Sequence, residues 1–303
     1  MIGGFLAKAG HNVTLLGRSW HLDVIERSGL RIKGIWGEHH VQSFKLFHTA
    51  SEIKKTGPNF DIIILTVKSF DTENAVTDLL PLMNGKTILI SFQNGLGNIE
   101  TILKKIKPEK FLIGRIITGV DVQPGEIEIT VSADSLVIGV TPGSVPKVSP
   151  DAIANLFNVA HIPARSVPNV LTYIWAKVIY NCALNGPCSV LEIPYGKMLE
   201  REETLLTLEK IVRECYEVAE RQRVKLAPSV ASEYLILLKG ELIPKTAGHY
   251  PSMLRDLRKG KRTEIDALNG AICQMGKALG AATPENQRIA DVIRAKENAA
   301  YGK

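Results

Sequence analysis

The chain has 303 residues, 45% of them hydrophobic and 22% charged, with a formal net charge of +6. That length allows two ordinary domains with cores of their own, and the balance excludes a disordered or fibrous chain. No stretch approaches the roughly 20 apolar residues of a membrane helix, and the opening MIGGFLAKAGHN turns polar too soon for a secretion signal, so a cytoplasmic protein with no membrane partner is expected.

The first half alternates short apolar runs with helix-patterned stretches: Val13–Leu16, then SWHLDVIERSGL, Asp61–Val67 (DIIILTV), TENAVTDLLPLM and Thr87–Ser91. The DIIILTV run is continuous rather than alternating, which marks a strand covered on both faces and hence βαβ units in a parallel sheet. From Gly114 to Gly139 the pieces GRIITGV, EIEITV and LVIG follow one another without helices, which predicts added antiparallel strands. Pro163 and Pro168 mark a boundary. Beyond Asn169 strand signals nearly vanish and amphipathic patterns replace them: VLTYIWAKVIYNCAL, EETLLTLEKIVRECYEVAERQ, EIDALNGAICQMGKALG and PENQRIADVIRAKENAA. Thr263 with Asp266 reads as an approximate capping box, and Thr283–Pro284 as an N-cap followed by proline at the first helical position. The fold class is therefore α/β. A Rossmann-type dinucleotide-binding domain over 1–167 is followed by an all-α domain over 168–303.

Basic and acidic residues are interleaved on helix faces such as LEKIVRECYEVAERQRVK. The one dense basic run, RDLRKGKR over 255–262, lacks interleaved aromatics for base stacking, so it reads as a helix end near an anionic ligand and no nucleic-acid partner is expected. Four cysteines without CxxC spacing read as buried reduced thiols, and no metal site is expected. The His39–His40 pair, close to Gly37, is expected in a turn and is assigned no chemistry.

A dinucleotide fold needs a strand, then GxGxxG, then a helix, because glycine lets backbone approach the pyrophosphate and the helix N-terminus offers free N–H groups. Gly3 opening a helix, the Gly10–His11–Asn12 turn and the strand VTLL match the second part of that pattern; the strand before it and the first two glycines are absent. In the order 3-2-1-4-5-6 the absent strand is the central one. Its neighbours would lack hydrogen bonds of ~1 kcal/mol each, so the natural start is expected about ten residues upstream. Arg18 follows Gly17 at the end of the second strand, where an acidic residue would select NAD; arginine there suits a 2′-phosphate, hence NADP. A surface arginine after a strand is the alternative. Lys68 in TVKSFDT and Asn94 in SFQNGLGN follow the next two strands, where ligands of open α/β sheets bind, although both residues also suit ordinary turns.

Lys177, Asn181 and Asn185 lie at i, i+4 and i+8 of one helix, advancing roughly 40° and 6 Å per step, so all three fall on one stripe beside Trp175, Val178 and Leu184. With IGGFLAKAGHNVTLLGR, TVKSFDT, QNGLGN, WAKVIYNCALN and SMLRDLRKGKRTEIDALNG in this order, the chain resembles the ketopantoate reductase family over essentially its whole length. The resemblance implies NADPH-dependent reduction of 2-dehydropantoate to pantoate, a step of pantothenate synthesis, by a Rossmann-type domain and a helical domain of the 6-phosphogluconate dehydrogenase C-terminal kind. It implies Lys177 as general acid and Asn94, Lys177, Asn181, Asn185 and Ser252 around a small 2-oxo acid. Gly3, Arg18, Lys68, Asn94, Val120 and Glu264 would hold NADP(H). The chemistry suits a lysine: hydride addition leaves a developing alkoxide, which needs a positive proton donor close by. Two residues keep alternatives: Glu264 also suits a helix N-terminus, and Ser252 a helix N-cap.

One departure bears on substrate. Tyr195 stands in GPCSVLEIPYG where well-known members of the family carry a further substrate-binding asparagine, so a reductase of another 2-oxo acid is the alternative. A truncated, non-catalytic binding protein is the alternative of another class. The long helices of the second domain would suit a homodimer.

Overall fold

The computed structural model describes residues 1–57 and 59–301. The chain forms two compact units: Met1–Val67, Asp71–Gln93 and Thr101–Val170 in the first, and Lys68–Phe70, Asn94–Glu100 and Leu171–Lys303 in the second.

The first unit holds every strand of the described residues: β1 (Val13–Leu16), β2 (Leu30–Gly34), β3 (His39–Val41), β4 (Phe44–Phe47), β5 (Ile62–Leu65), β6 (Ile88–Ser91), β7 (Phe111–Arg115), β8 (Thr118–Gln123), β9 (Glu126–Ser132), β10 (Leu136–Gly139) and β11 (Ala164–Ser166). Before and between them in the chain run α1 (Ile2–Lys8), α2 (Ser19–Ser28), α3 (Ala50–Lys55), α4 (Thr72–Leu79), α5 (Asn98–Leu103), whose first three residues belong to the second unit, and α6 (Pro150–Val159). Strands β5, β6 and β7 are parallel, as the continuous apolar runs require, and β10 joins β7 antiparallel with β11 at the edge. Ile88, Ile90, Leu112, Ile138 and Phe157 pack the core of this unit.

Three features differ from the sequence expectations. The strand expected over GRIITGV is two strands, β7 ending at Arg115 and β8 starting at Thr118, and β8 and β9 belong to a separate four-stranded sheet in the order β3-β2-β9-β8. His39 and His40 lie in β3 rather than in a turn, since their backbone pairs with Ile32 and Arg31 of β2; β2, β3 and β4 escape a pattern search because each is short and mixed in polarity. The parallel pairing expected in one sheet is divided among three, with β1 paired to β4, β2 to β9, and β5 an outer strand of the five. The entirely apolar Ile62, Ile63 and Ile64 of that outer strand are only half-buried.

The second unit is helical: α7 (Val170–Leu191), α8 (Glu202–Arg221), α9 (Ala231–Leu237), α10 (Ile243–Lys245), α11 (Ser252–Arg258), α12 (Asn269–Leu279) and α13 (Pro284–Tyr301). Helix α8 buries Leu208, Ile211, Val212, Cys215, Val218 and Ala219 at the 3.6-residue period, packing against α12 and α13. The Glu214 carboxylate, also buried, accepts the N–H groups of Glu285 (2.8 Å) and Asn286 (2.9 Å) and so caps the start of α13. The capping box expected at Thr263 does not form. Thr263 Oγ1 accepts the Ile265 N–H at 3.2 Å, while the exposed Asp266 pairs with Arg262 and Arg294. Cys182, Cys188 and Cys215 are buried free thiols. Among the described residues no helix is long and apolar enough to cross a membrane.

Candidate active site

The second unit gathers Lys68, Asn94, Lys177 and Glu264 into one chain of polar contacts. Lys177 is carried by α7, a 22-residue helix that buries Trp175, Val178 and Leu184 while Lys177 itself is only half-buried. Its ammonium donates to Asn94 Oδ1 at 2.6 Å. The amide of Asn94 is then oriented, because its Nδ2 donates to Glu264 Oε2 at 3.2 Å: oxygen towards the ammonium, nitrogen towards the carboxylate.

Two short segments that each follow a strand of the first unit bring these groups in. After β6, Gly95 adopts φ +83°, and a Cβ there would lie 2.5 Å from the Ala267 carbonyl oxygen. Glycine therefore lets the Asn94 loop run against the 3₁₀ turn Ile265–Ala267, where the Leu96 N–H donates to Ala267 O at 2.8 Å. After β5, the Ser69 N–H donates to Glu264 Oε1 at 3.2 Å, and the Arg262 guanidinium lies 4.8 Å over the Phe70 ring. The Lys68 ammonium sits between two carboxylates, 2.9 Å from Asp256 Oδ2 and 3.4 Å from Glu264 Oε2. Burial works against its charge, but Glu264 and Asp256 together outweigh burial and raise its pKa.

Further along α7, Asn185 is buried and both ends of its amide are engaged by α11: Nδ2 donates to Ser252 Oγ at 3.3 Å and Oδ1 accepts the Met253 N–H at 3.2 Å. Ser252 is the first residue of α11 rather than its N-cap, which is Pro251. Asn181 lies half-buried between Lys177 and Asn185 on the same stripe. Tyr195 is 4% exposed, with its ring edge-on to Tyr180 at 5.8 Å and tilted over His249 at 5.2 Å, and burial pushes its phenol well up.

The expected cofactor residues of the first unit lie apart in its fold. Gly3 is in the first turn of α1, where a Cβ would stand 2.9 Å from the Leu15 side chain, so the glycine allows close approach of helix to strand β1. That is one of the three tasks glycines perform in a dinucleotide fold. Arg18 is exposed at the N-cap of α2, with its guanidinium 4.0 Å from the Asp71 carboxylate. A pair so solvated holds weakly and leaves the guanidinium available to an anion. Val120 lies in β8 at the bulge between Gly119 and Val120. Close helix–strand packing and an exposed arginine after β1 fit a nicotinamide dinucleotide.

Asp256 is the contact that sequence reasoning missed. Its signal was available: it is the lone acid inside the basic run RDLRKGKR.

An α/β unit of parallel strands and a helical unit with a lysine–amide–carboxylate chain define the class, a two-unit oxidoreductase. Residues 1–143 match the family described as ketopantoate reductase PanE/ApbA, and residues 169–297 match the C-terminal part of the same family. The 2-dehydropantoate 2-reductase of Aquifex aeolicus is 38% identical, over 97% of this chain and 92% of its own length. That of Pyrococcus horikoshii is 31% identical over 100% and 95%. Among solved structures, a PanE/ApbA family ketopantoate reductase from Ralstonia eutropha superposes with a TM-score of 0.86 at 28% identity, covering 99% of this chain and 95% of the other. D-mandelate dehydrogenase with NADH and anilino(oxo)acetate superposes with a TM-score of 0.87 at 26% identity, with the same coverage. The chain belongs to the ketopantoate reductase family and is an oxidoreductase of that type.

Proposed function

We propose that this chain reduces the C2 keto group of 2-dehydropantoate to the alcohol of pantoate, with NADPH as the reductant, in the cytoplasmic synthesis of pantothenate and coenzyme A. The observation that carries the reading is the 2.6 Å contact of the Lys177 ammonium with an Asn94 amide that Glu264 orients. NADPH, when bound, supplies the hydride. Lys177 gives a proton to the oxygen on which negative charge develops, and its own charge stabilises that oxygen beforehand. Asn94 aims the ammonium, because turning the amide over would set its NH₂ group against the Lys177 ammonium. Asn181, with Asn185 and the Ser252 it holds, takes the polar groups of the substrate. Lys68 and Glu264 are assigned to the cofactor, as are Gly3, Arg18 and Val120. The exposed guanidinium of Arg18 supports NADPH over NADH, and the domains assigned to this work are 1–167 for cofactor and 168–303 for substrate and acid.

Lys177→Ala tests the assignment. With the acid removed, turnover of 2-dehydropantoate should fall by about 10²–10⁴ in kcat while NADPH still quenches tryptophan fluorescence. Near-normal turnover would exclude Lys177 as the acid. A second reading, a related reductase of another 2-oxo acid, is favoured by the burial of Tyr195, whose ring packs between Tyr180 and His249. Steady-state kcat/KM over a panel of 2-oxo acids separates the two, since each predicts a different best substrate.

A further inference from the structure

We propose that Asp256 is a positioning residue of this reaction, holding the Lys68 ammonium and through it the Glu264–Asn94–Lys177 chain. The inference rests on the roles given above to Lys177 and Asn94. Lys68 makes its shorter contact, 2.9 Å, with Asp256 and its longer one, 3.4 Å, with Glu264. Glu264 Oε2 therefore has room for a second donor, the neutral Asn94 amide at 3.2 Å, while Oε1 receives the Ser69 N–H. Without the charge of Asp256, Coulomb attraction would draw Lys68 fully onto Glu264, and an ammonium displaces a neutral amide from a carboxylate oxygen. Asn94 would then lose the contact that fixes which way its amide faces, and Lys177 would lose its aim. The Asp256 side chain is 20% exposed, and its helix, α11, is pinned at its first turn by Asn185, so the holding group is itself held.

The full-length chain allows a double-mutant cycle. Asp256→Asn should lower kcat/KM by about tenfold or more with circular dichroism melting nearly unchanged, and Asp256→Glu, which keeps the charge, should recover most of the loss. If Asp256 acts through Lys68, the double variant Asp256→Asn, Lys68→Ala should be no worse than Lys68→Ala alone, within about threefold. A third readout needs neither substrate nor cofactor. Acetylation of the Lys68 amine by acetic anhydride at pH 8, followed by peptide mass spectrometry, should run severalfold faster in Asp256→Asn or, if that variant is insoluble, in Asp256→Ser. Unchanged labelling overturns the proposal, as do losses that simply multiply in the cycle. Wild-type protein inactive on 2-dehydropantoate would instead count against the functional reading, with the labelling result still deciding the role of Asp256.

Discussion

Glu264→Gln removes one charge and one acceptor from a buried carboxylate that receives three donors: the Ser69 N–H, the Lys68 ammonium and the Asn94 amide. The glutamine amide has a single oxygen, so it serves either Ser69 or the Lys68–Asn94 pair, and its NH₂ group opposes whichever donor is left. Loss of the charge-assisted contact from Lys68 is worth about 1.5–3 kcal/mol and an unpaired buried donor about 1–3 kcal/mol. Lys68 is 41% exposed and keeps Asp256, which trims the sum to roughly 2–4 kcal/mol. At roughly 2 °C per kcal/mol for a chain of this length, melting followed by circular dichroism should drop by about 4–8 °C. Activity should suffer further, because displacing Asn94 moves the Lys177 ammonium. Misplacement of a reacting group by ~1 Å costs ~10², so kcat/KM should fall by about two orders of magnitude. A Glu264→Gln protein melting at the wild-type temperature with kcat/KM within threefold would refute the reasoning.

Arg18→Asp should weaken NADPH binding by about tenfold or more and improve NADH, measured by fluorescence titration, because a carboxylate repels a 2′-phosphate and accepts from a ribose hydroxyl. Glu214→Ala strips the cap of α13 and leaves the Glu285 and Asn286 N–H groups without their acceptor, for a loss of about 3 kcal/mol in urea unfolding with no change in KM. Asp134 is held below the ordinary aspartate value of 3.8: burial opposes its charge, but the Arg115 guanidinium at 2.6 Å outweighs burial. A depressed pKa means stability that is present above 3.8 and lost as pH falls through the folded value. The advantage of wild type over Asp134→Asn in urea unfolding should therefore hold at pH 5–6 and shrink below 3.8; an advantage independent of pH would contradict the ion pair.

The parallel strand β6 was legible because a buried strand needs every side chain apolar, and α8 because its apolar residues recur at the helical period; β5 was legible by the same apolar run, although its position at the sheet edge leaves Ile62, Ile63 and Ile64 half-buried rather than covered on both faces. Lys177, Asn181 and Asn185 were legible as a stripe for the same reason: helix geometry converts spacing directly into a shared face. The short strands β2 to β4 were not, since each is mixed in polarity and held by pairing elsewhere in the chain, β2 with β9 95 positions away and β4 with β1. The capping box at Thr263 was misread because Arg262 and Arg294 compete for Asp266, and Arg294 is 28 residues distant.

The sequence by itself determined the long helices of the second unit and the apolar strands β5 and β6, which family the motifs resemble, and that a lysine and two asparagines share one helix face; the helices and that shared face follow from periodicities within a single segment. Tertiary structure alone decided that Asn94 turns its oxygen to Lys177, 83 positions away, and that Lys68 lies between Glu264 and an aspartate 188 positions away. Those contacts depend on where folding brings segments together, and a hydrogen bond or ion pair over such separations leaves no periodic trace in the chain.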